Sequence, residues 1–160
     1  MILNSIYSLF CSLGFGILFN IHGKRLFYAA LGGGIGWYFY LLPQKYTHSI
    51  AFSLFIASLV ISIYSEIVAR IFKAPVTLFL VVALLPLVPG AGMYYTMYQS
   101  IVGNATKSLS LGIETIFNAG AIALAPMVVS SVTKVILAIK KTITSWIYLM
   151  FLQVPLTLIH

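Results

Sequence analysis

Apolar residues in this chain come as long uninterrupted runs, not as an alternation or a single helical stripe. Five runs stand out, about 2–20, 26–42, 50–69, 76–102 and 109–133. A membrane-crossing helix needs about 20 consecutive apolar residues, and each run is near that length. The polar breaks are short: His22 to Arg25, Pro43 to Ser49, Arg70 to Pro75 and Gly103 to Ser108. Connections this short make consecutive helices antiparallel neighbours. The pattern predicts an all-α polytopic membrane bundle of five transmembrane helices. Residues 1–141 form one five-helix unit. Residues 142–160 form an apolar tail, interfacial or partner-contacting, with a short sixth span as the alternative.

Composition sharpens this picture. Hydrophobic residues make up 61% of the 160 positions and charged residues 7%, whereas a soluble domain carries about 25% charged residues. The mean hydropathy is +1.07. No stretch remains for a soluble catalytic domain. Nine basic residues against two acidic ones give a net charge of +7, yet the basic residues sit singly or in pairs between apolar runs. That spacing reads as topology signals and contacts with lipid headgroups, not as a nucleic-acid surface. Lys24, Arg25, Arg70, Lys73, Lys134, Lys140 and Lys141 fall on one side, and Lys45 and Lys107 on the other. The positive-inside rule therefore predicts the N-terminus outside and residues 134–141 in the cytoplasm. The single cysteine, Cys11, excludes an intrachain disulfide. The first 20 residues lack Lys and Arg, so they read as a retained helix and not as a signal peptide.

Enzyme signatures are absent. The sequence contains no GxSxG, HExxH or P-loop and no Cys/His metal spacing, so no catalytic residue, metal or cofactor is expected. His22, His48 and His160 fall in loops or the tail. Small residues instead recur at helical spacing. Ser8, Ser12, Gly16 and Asn20 form a stripe on the first span, Gly32 and Gly36 a GxxxG on the second, and Ser58, Ser62, Glu66 and Arg70 a face of the third. Such stripes let helix backbones approach each other inside a membrane. Asn20 and Glu66 are the members whose burial is expensive.

The fourth run holds Leu85-Pro86-Leu87-Val88-Pro89-Gly90-Ala91-Gly92-Met93-Tyr94-Tyr95. Each proline lacks an amide donor and displaces the carbonyl four residues earlier, here Val82 and Leu85. Counted from Val76, the cluster lies roughly 15–21 Å into the membrane. A broken helix is tolerated there only where protein packs it or it lines a cavity. In transporters such breaks hold substrate, with the free N–H groups of the second half-helix facing an anion. A simple proline kink is the alternative. The two acids both lie inside spans. Glu66 precedes Arg70 by one turn, which suits a structural ion pair. Glu114 has no basic neighbour within a turn toward the core and has Asn118 one turn deeper. An unpaired intramembrane carboxyl is a candidate for moving a proton; snorkelling to the outer interface is the alternative.

These residues also carry a resemblance. Phe19-Asn20, Lys24-Arg25-Leu26, Ala29 to Gly32 and Ile35-Gly36 are followed by Ala69-Arg70, Lys73-Ala74-Pro75 and Leu85 to Gly90 with Tyr94-Tyr95-Thr96-Met97. Together they resemble the C-terminal half of the threonine/serine exporter family, through Gly112 and Asn118 to about Ser131. The Pro-x-x-Pro-Gly segment is the distinctive part. The resemblance implies the split small subunit of a two-component exporter, similar to that of a two-part succinate exporter. It also implies a larger partner subunit of the same family, a bacterial inner membrane, a small carboxylate substrate and proton-driven antiport. Pro86, Pro89, Gly90, Gly92, Tyr94, Tyr95, Asn118 and Asn20 are then expected near the substrate and Glu114 on the proton path. A membrane scaffold and a small homo-oligomeric channel remain alternatives from other classes.

Overall fold

The computed structural model describes residues 1–47 and 49–153, with side chains up to Ile139. His48, His160 and the last part of the expected tail, residues 154–160, lie outside the described residues. The described chain is all-helical: α1 (Ile2–Leu18), α2 (Lys24–Thr47), α3 (Ile50–Ile71), α4 (Val76–Leu84), a 3-10 turn (Leu85–Leu87), α5 (Gly90–Ile101) and α6 (Ala105–Gln153). It divides into two compact units, Met1–Met127 and Val128–His160.

In the first unit α2 is the central helix, packed against α1, α3 and α4. Its glycines make this possible, with Gly33 and Gly34 turned to α1 and Gly32 and Gly36 turned to α3. A Cβ on Gly33 would run into Ser12, and one on Gly34 would sit 3.2 Å from the Leu9 side chain. Gly32 meets Tyr64 at 3.0 Å and Ala83 at 3.1 Å, while Gly36 abuts Ile61. The glycines therefore surround the helix because it is surrounded. Ser8, Ser12 and Gly16 are the buried residues of α1, and Ser8 Oγ donates to Gly33 O at 3.0 Å. The first three members of the small-residue stripe thus pack as expected.

Along α3 the buried face includes Ser53, Ala57, Ser58, Ile61, Ser62 and Ser65. Ser58 Oγ donates to Ile122 O on α6 at 2.8 Å. Ile122 joins Leu54, Ala57, Ile61, Ala83 and Leu87 in one cluster. A second cluster (Ile21, Ala29, Val68, Ala69, Phe79 and Val82) holds the other end of α2, α3 and α4 together.

Three helices end in the same way. Asn20 (φ 59°), Lys73 (φ 48°) and Gly103 (φ 86°) adopt the left-handed conformation just after α1, α3 and α5. At α1, Asn20 N–H donates to Ile17 O at 2.9 Å and Ile21 N–H to Gly16 O at 3.0 Å. At α3, Lys73 donates to Arg70 O and Ala74 to Ala69 O; at α5, Gly103 donates to Ser100 O and Asn104 to Gln99 O. These are Schellman motifs, which satisfy the last carbonyls and reverse the chain within a few residues. Side-chain caps open α3 and α6: Ser49 Oγ accepts from Phe52 N–H and Asn104 Oδ1 from Lys107 N–H.

Two boundaries differ from expectation. The second helix does not stop at Pro43 but runs through it to Thr47. The lost N–H affects only the last turns, where the freed carbonyl lies near a helix end. The fifth helix does not stop near the end of its apolar run at 133, since α6 continues to Gln153. Lys134, Lys140 and Lys141 are good helix formers and carry no breaker. Among the described helices, α3 and α6 are each long and apolar enough to cross a membrane. The pair α4–α5 qualifies as one broken span, and α1 is a shorter apolar helix.

The second unit contains the continuation of α6 from Val128. Val132, Val135, Ile136, Leu137 and Ile139 are exposed along it.

Candidate functional site

The break in the fourth run is built by its two prolines. Pro86 sits inside the 3-10 turn and cannot donate to Val82 O. Pro89 cannot donate to Leu85 O, and Val88 N–H takes that carbonyl instead at 3.2 Å. Val88 is extended (φ −57°, ψ 130°). Pro89 has φ −76° and ψ 57°, with Gly90 N–H donating to Val88 O at 2.7 Å. That is an inverse γ-turn. The axes of Val76–Leu87 and Gly90–Ile101 diverge by 51°, which is a break and not a gentle kink.

The new helix start leaves donors free. Gly90 N–H is used in the γ-turn, and Met93 N–H reaches Pro89 O at 3.2 Å. Ala91 and Gly92 N–H have no partner among the described residues. These are the orphan groups of a helix N-terminus, with the positive end of the helix dipole behind them. The glycines beside them differ in purpose. A Cβ on Gly90 would meet nothing within 4 Å, so the break owes its space to the prolines. At Gly92 a Cβ would collide with Thr115 Oγ1. Gly92 is therefore the point where α5 touches α6, and Ser108 Oγ donates to Thr96 O at 2.8 Å one turn further out.

On its other side the break faces α1 and α2. Asn4, Tyr7, Ser8, Cys11, Trp37 and Pro86 line an open cleft of about 280 Å³. Asn4 was missed in the sequence reading, although it precedes Ser8 by four residues and so extends the same stripe. Trp37 Nε1, Ser12 Oγ and Ser65 Oγ are buried without a hydrogen-bond partner. Tyr94 and Tyr95 are 63% and 53% exposed on α5. Their rings touch at 5.3 Å between centroids, and Tyr94 stacks on Tyr98 at 6.3 Å.

Glu114 and Asn118 come together, but not at the break. They line a second open cleft, of about 300 Å³, with Ser49, Ile50, Ala51 and Phe117. The reason is helical phase. The face of α6 turned to α5 carries Ser108, Gly112 and Thr115, and Glu114 lies about 100° away from Thr115 around the helix. Asn118 is buried and Glu114 exposed. Asn20 is not at the break either. It is exposed and supplies the left-handed residue that ends α1. The Glu66–Arg70 pair is present, with Arg70 Nη2 2.8 Å from Glu66 Oε2. Arg70 Nη1 also donates to Glu66 O at 3.1 Å.

No group of His, Cys, Asp and Glu among the described residues could hold a metal ion. Apolar helices of membrane length, one span of them broken at two prolines, define a helical membrane protein. A family model described as "Threonine/Serine exporter, ThrE" matches residues 4–132. The chain belongs to that exporter family. No solved structure matches it.

Proposed function

We propose that this chain is the small subunit of a two-component secondary exporter for small carboxylated metabolites, and that it works with a larger subunit of the same family. It lies in a bacterial inner membrane as five spans, counting α1, α2, α3, the broken α4–α5 pair and α6. The N-terminus is outside, as the uneven distribution of basic residues suggests. The observation that carries this reading is the break at Leu85–Pro89 in a member of an exporter family. The unpartnered N–H groups of Ala91 and Gly92 are suited to a substrate carboxylate. Pro86, Pro89, Gly90 and Gly92 shape that place, and Tyr94 and Tyr95 stand on the half-helix leading outward. Glu114 carries the coupling proton from its own cleft beside α3, since an intramembrane carboxyl is costly to keep charged and unpaired.

The test is export from cells preloaded with labelled threonine or succinate. Export should require co-expression of this chain with the larger subunit and should collapse when the proton gradient is dissipated. Robust gradient-driven transport by this chain alone in liposomes refutes the two-component reading. Flux indifferent to the gradient refutes secondary transport and favours a passive channel.

A further inference from the structure

Four cations of the first unit gather at one end of it. Lys24 and Arg25 open α2, Arg70 lies in the last turn of α3, and Lys73 follows that helix. Packing brings these two places together. Tyr64 Oη donates to Tyr28 O at 2.8 Å, and the Tyr28 and Phe72 rings lie 5.0 Å apart. Ile21, Leu26, Ala29, Ala69, Phe72 and Ala74 belong to one apolar cluster at this end. Lys24 stands one helical turn before Tyr28, and Lys73 directly follows Phe72. The ring contact therefore sets the two basic pairs side by side. Lys45 and Lys107, by contrast, each stand alone in their stretch of sequence.

Little of this charge is neutralised by the chain itself. Of its two acids, Glu114 lies beside the start of α3, at the opposite end of that helix. Glu66 is engaged with Arg70 Nη2 at 2.8 Å. Lys24, Arg25 and Lys73 make no ion pair among the described residues, and all three are exposed. Their places are also locally unfavourable. The first turn of α2 holds no acid and sets Lys24 and Arg25 against the positive end of the helix dipole. Lys73 holds φ 48°, a conformation that the end of α5 gives to Gly103 and that costs glycine less. Local preferences broken together at one place point to a function there.

Phosphate is the anion that suits such a cluster, because lysine and arginine give its oxygens charge-assisted hydrogen bonds. The surface next to the charges indicates where the phosphate comes from. Phe27, Tyr28, Ile67 and Ile71 are exposed on the adjoining turns of α2 and α3. A soluble phosphate makes no use of aromatic and aliphatic surface there, whereas the acyl chains of a phospholipid cover it. We propose that the start of α2 and the end of α3 form a binding site for an anionic phospholipid whose headgroup carries two phosphodiesters. Lys24 and Arg25 take one phosphate, and Lys73 with the remaining N–H groups of Arg70 takes the other. In the proposed orientation this end lies at the cytoplasmic leaflet, where anionic lipids attract basic residues. Because α4 begins at Val76, three residues after Lys73, the bound headgroup ties the entry of the broken span to α2. The site depends on the membrane setting of the chain and not on the cargo it exports.

The experiment uses the full chain purified in a neutral detergent, with native mass spectrometry to follow lipid binding and thermal unfolding alongside. The probes are diphosphatidylglycerol, phosphatidylglycerol at matched charge, and inorganic pyrophosphate. Diphosphatidylglycerol should bind at least fivefold more tightly than phosphatidylglycerol and raise the unfolding temperature, and pyrophosphate should not displace it. Joint Lys24→Gln and Arg25→Gln should weaken that binding at least fivefold. Joint Lys45→Gln and Lys107→Gln, which remove the same charge, should leave it unchanged. Lys73→Gly separates ligand from fold. It relieves the left-handed residue, so the lipid-free protein should be at least as stable, yet lipid binding should fall at least threefold. Equal affinity for the two lipids, displacement by pyrophosphate, or an equal loss in the Lys45 and Lys107 variant each overturns the proposal. Unchanged binding in Lys73→Gly overturns it as well, and that variant decides alone if the Lys24 and Arg25 variant fails to fold.

Discussion

The contact between α5 and α6 at Gly92 can be tested with a single methyl group. Gly92→Ala places a Cβ against Thr115 Oγ1, with Thr115 Cγ2 at 3.3 Å and Cβ at 3.4 Å. The hydroxyl is not free to retreat at no cost, because it donates to Leu111 O at 2.7 Å. Rotating it away forfeits about 0.5–1.5 kcal/mol. Keeping it forces α5 off α6, with an overpacking cost of about 1–3 kcal/mol. Gly92→Ala should therefore destabilise by about 1–3 kcal/mol. Gly90→Ala, two residues earlier, should be near neutral because nothing lies within 4 Å of its Cβ. In a Thr115→Ala background the colliding oxygen is gone and only ordinary contact with Cβ remains, so the cost of Gly92→Ala should fall to a few tenths of a kcal/mol. The assay is a double-mutant cycle on unfolding of the purified protein in mixed micelles, which should return a coupling of about 1–2 kcal/mol. Additive single and double substitutions, or an equal loss in Gly90→Ala, would refute this origin for the glycine.

Other outcomes follow from the same structure. Gly33→Ala should destabilise markedly by displacing the Ser12 side chain, whereas Gly14→Ala, with nothing within 4 Å, should slightly stabilise α1; thermal unfolding compares them. Arg70→Gln should lower stability by no more than about 1 kcal/mol, because the Arg70 side chain is 46% exposed and its pair with Glu66 lies within one helix. A larger drop in unfolding free energy would give the pair a role beyond that helix. For topology, single cysteines at positions 73 and 107, without Cys11, should be protected and labelled respectively by an impermeant reagent added outside. The reverse pattern sinks the proposed orientation.

Much of this protein is set by short-range rules that a linear reading can apply. Long apolar runs must become helices in a membrane, because no water satisfies an open backbone there. Pro86 and Pro89 must interrupt hydrogen bonding wherever they are placed, so the position of the break was legible. So was the Glu66–Arg70 pair, which one helical turn brings together. The buried stripe Ser8, Ser12 and Gly16 was legible too, because small side chains are needed where backbones touch.

What remained hidden depends on which helix faces which. Sequence alone gave Asn20 and Gly16 equal standing in one stripe. Only the folded chain separates a buried contact from an exposed residue that ends the helix in a left-handed turn. Gly90 and Gly92 read alike, yet Thr115 lies beside one and open space beside the other. Asn118 reads as a companion of the break, but the rotation of α6 that seats Gly112 and Thr115 on α5 turns Glu114 and Asn118 toward Ser49 and Ala51. A hydrophobic run specifies that a helix forms and how long it is. Its rotation about its own axis is decided by close packing against its neighbours, so the companions of a polar side chain are a property of the tertiary structure alone.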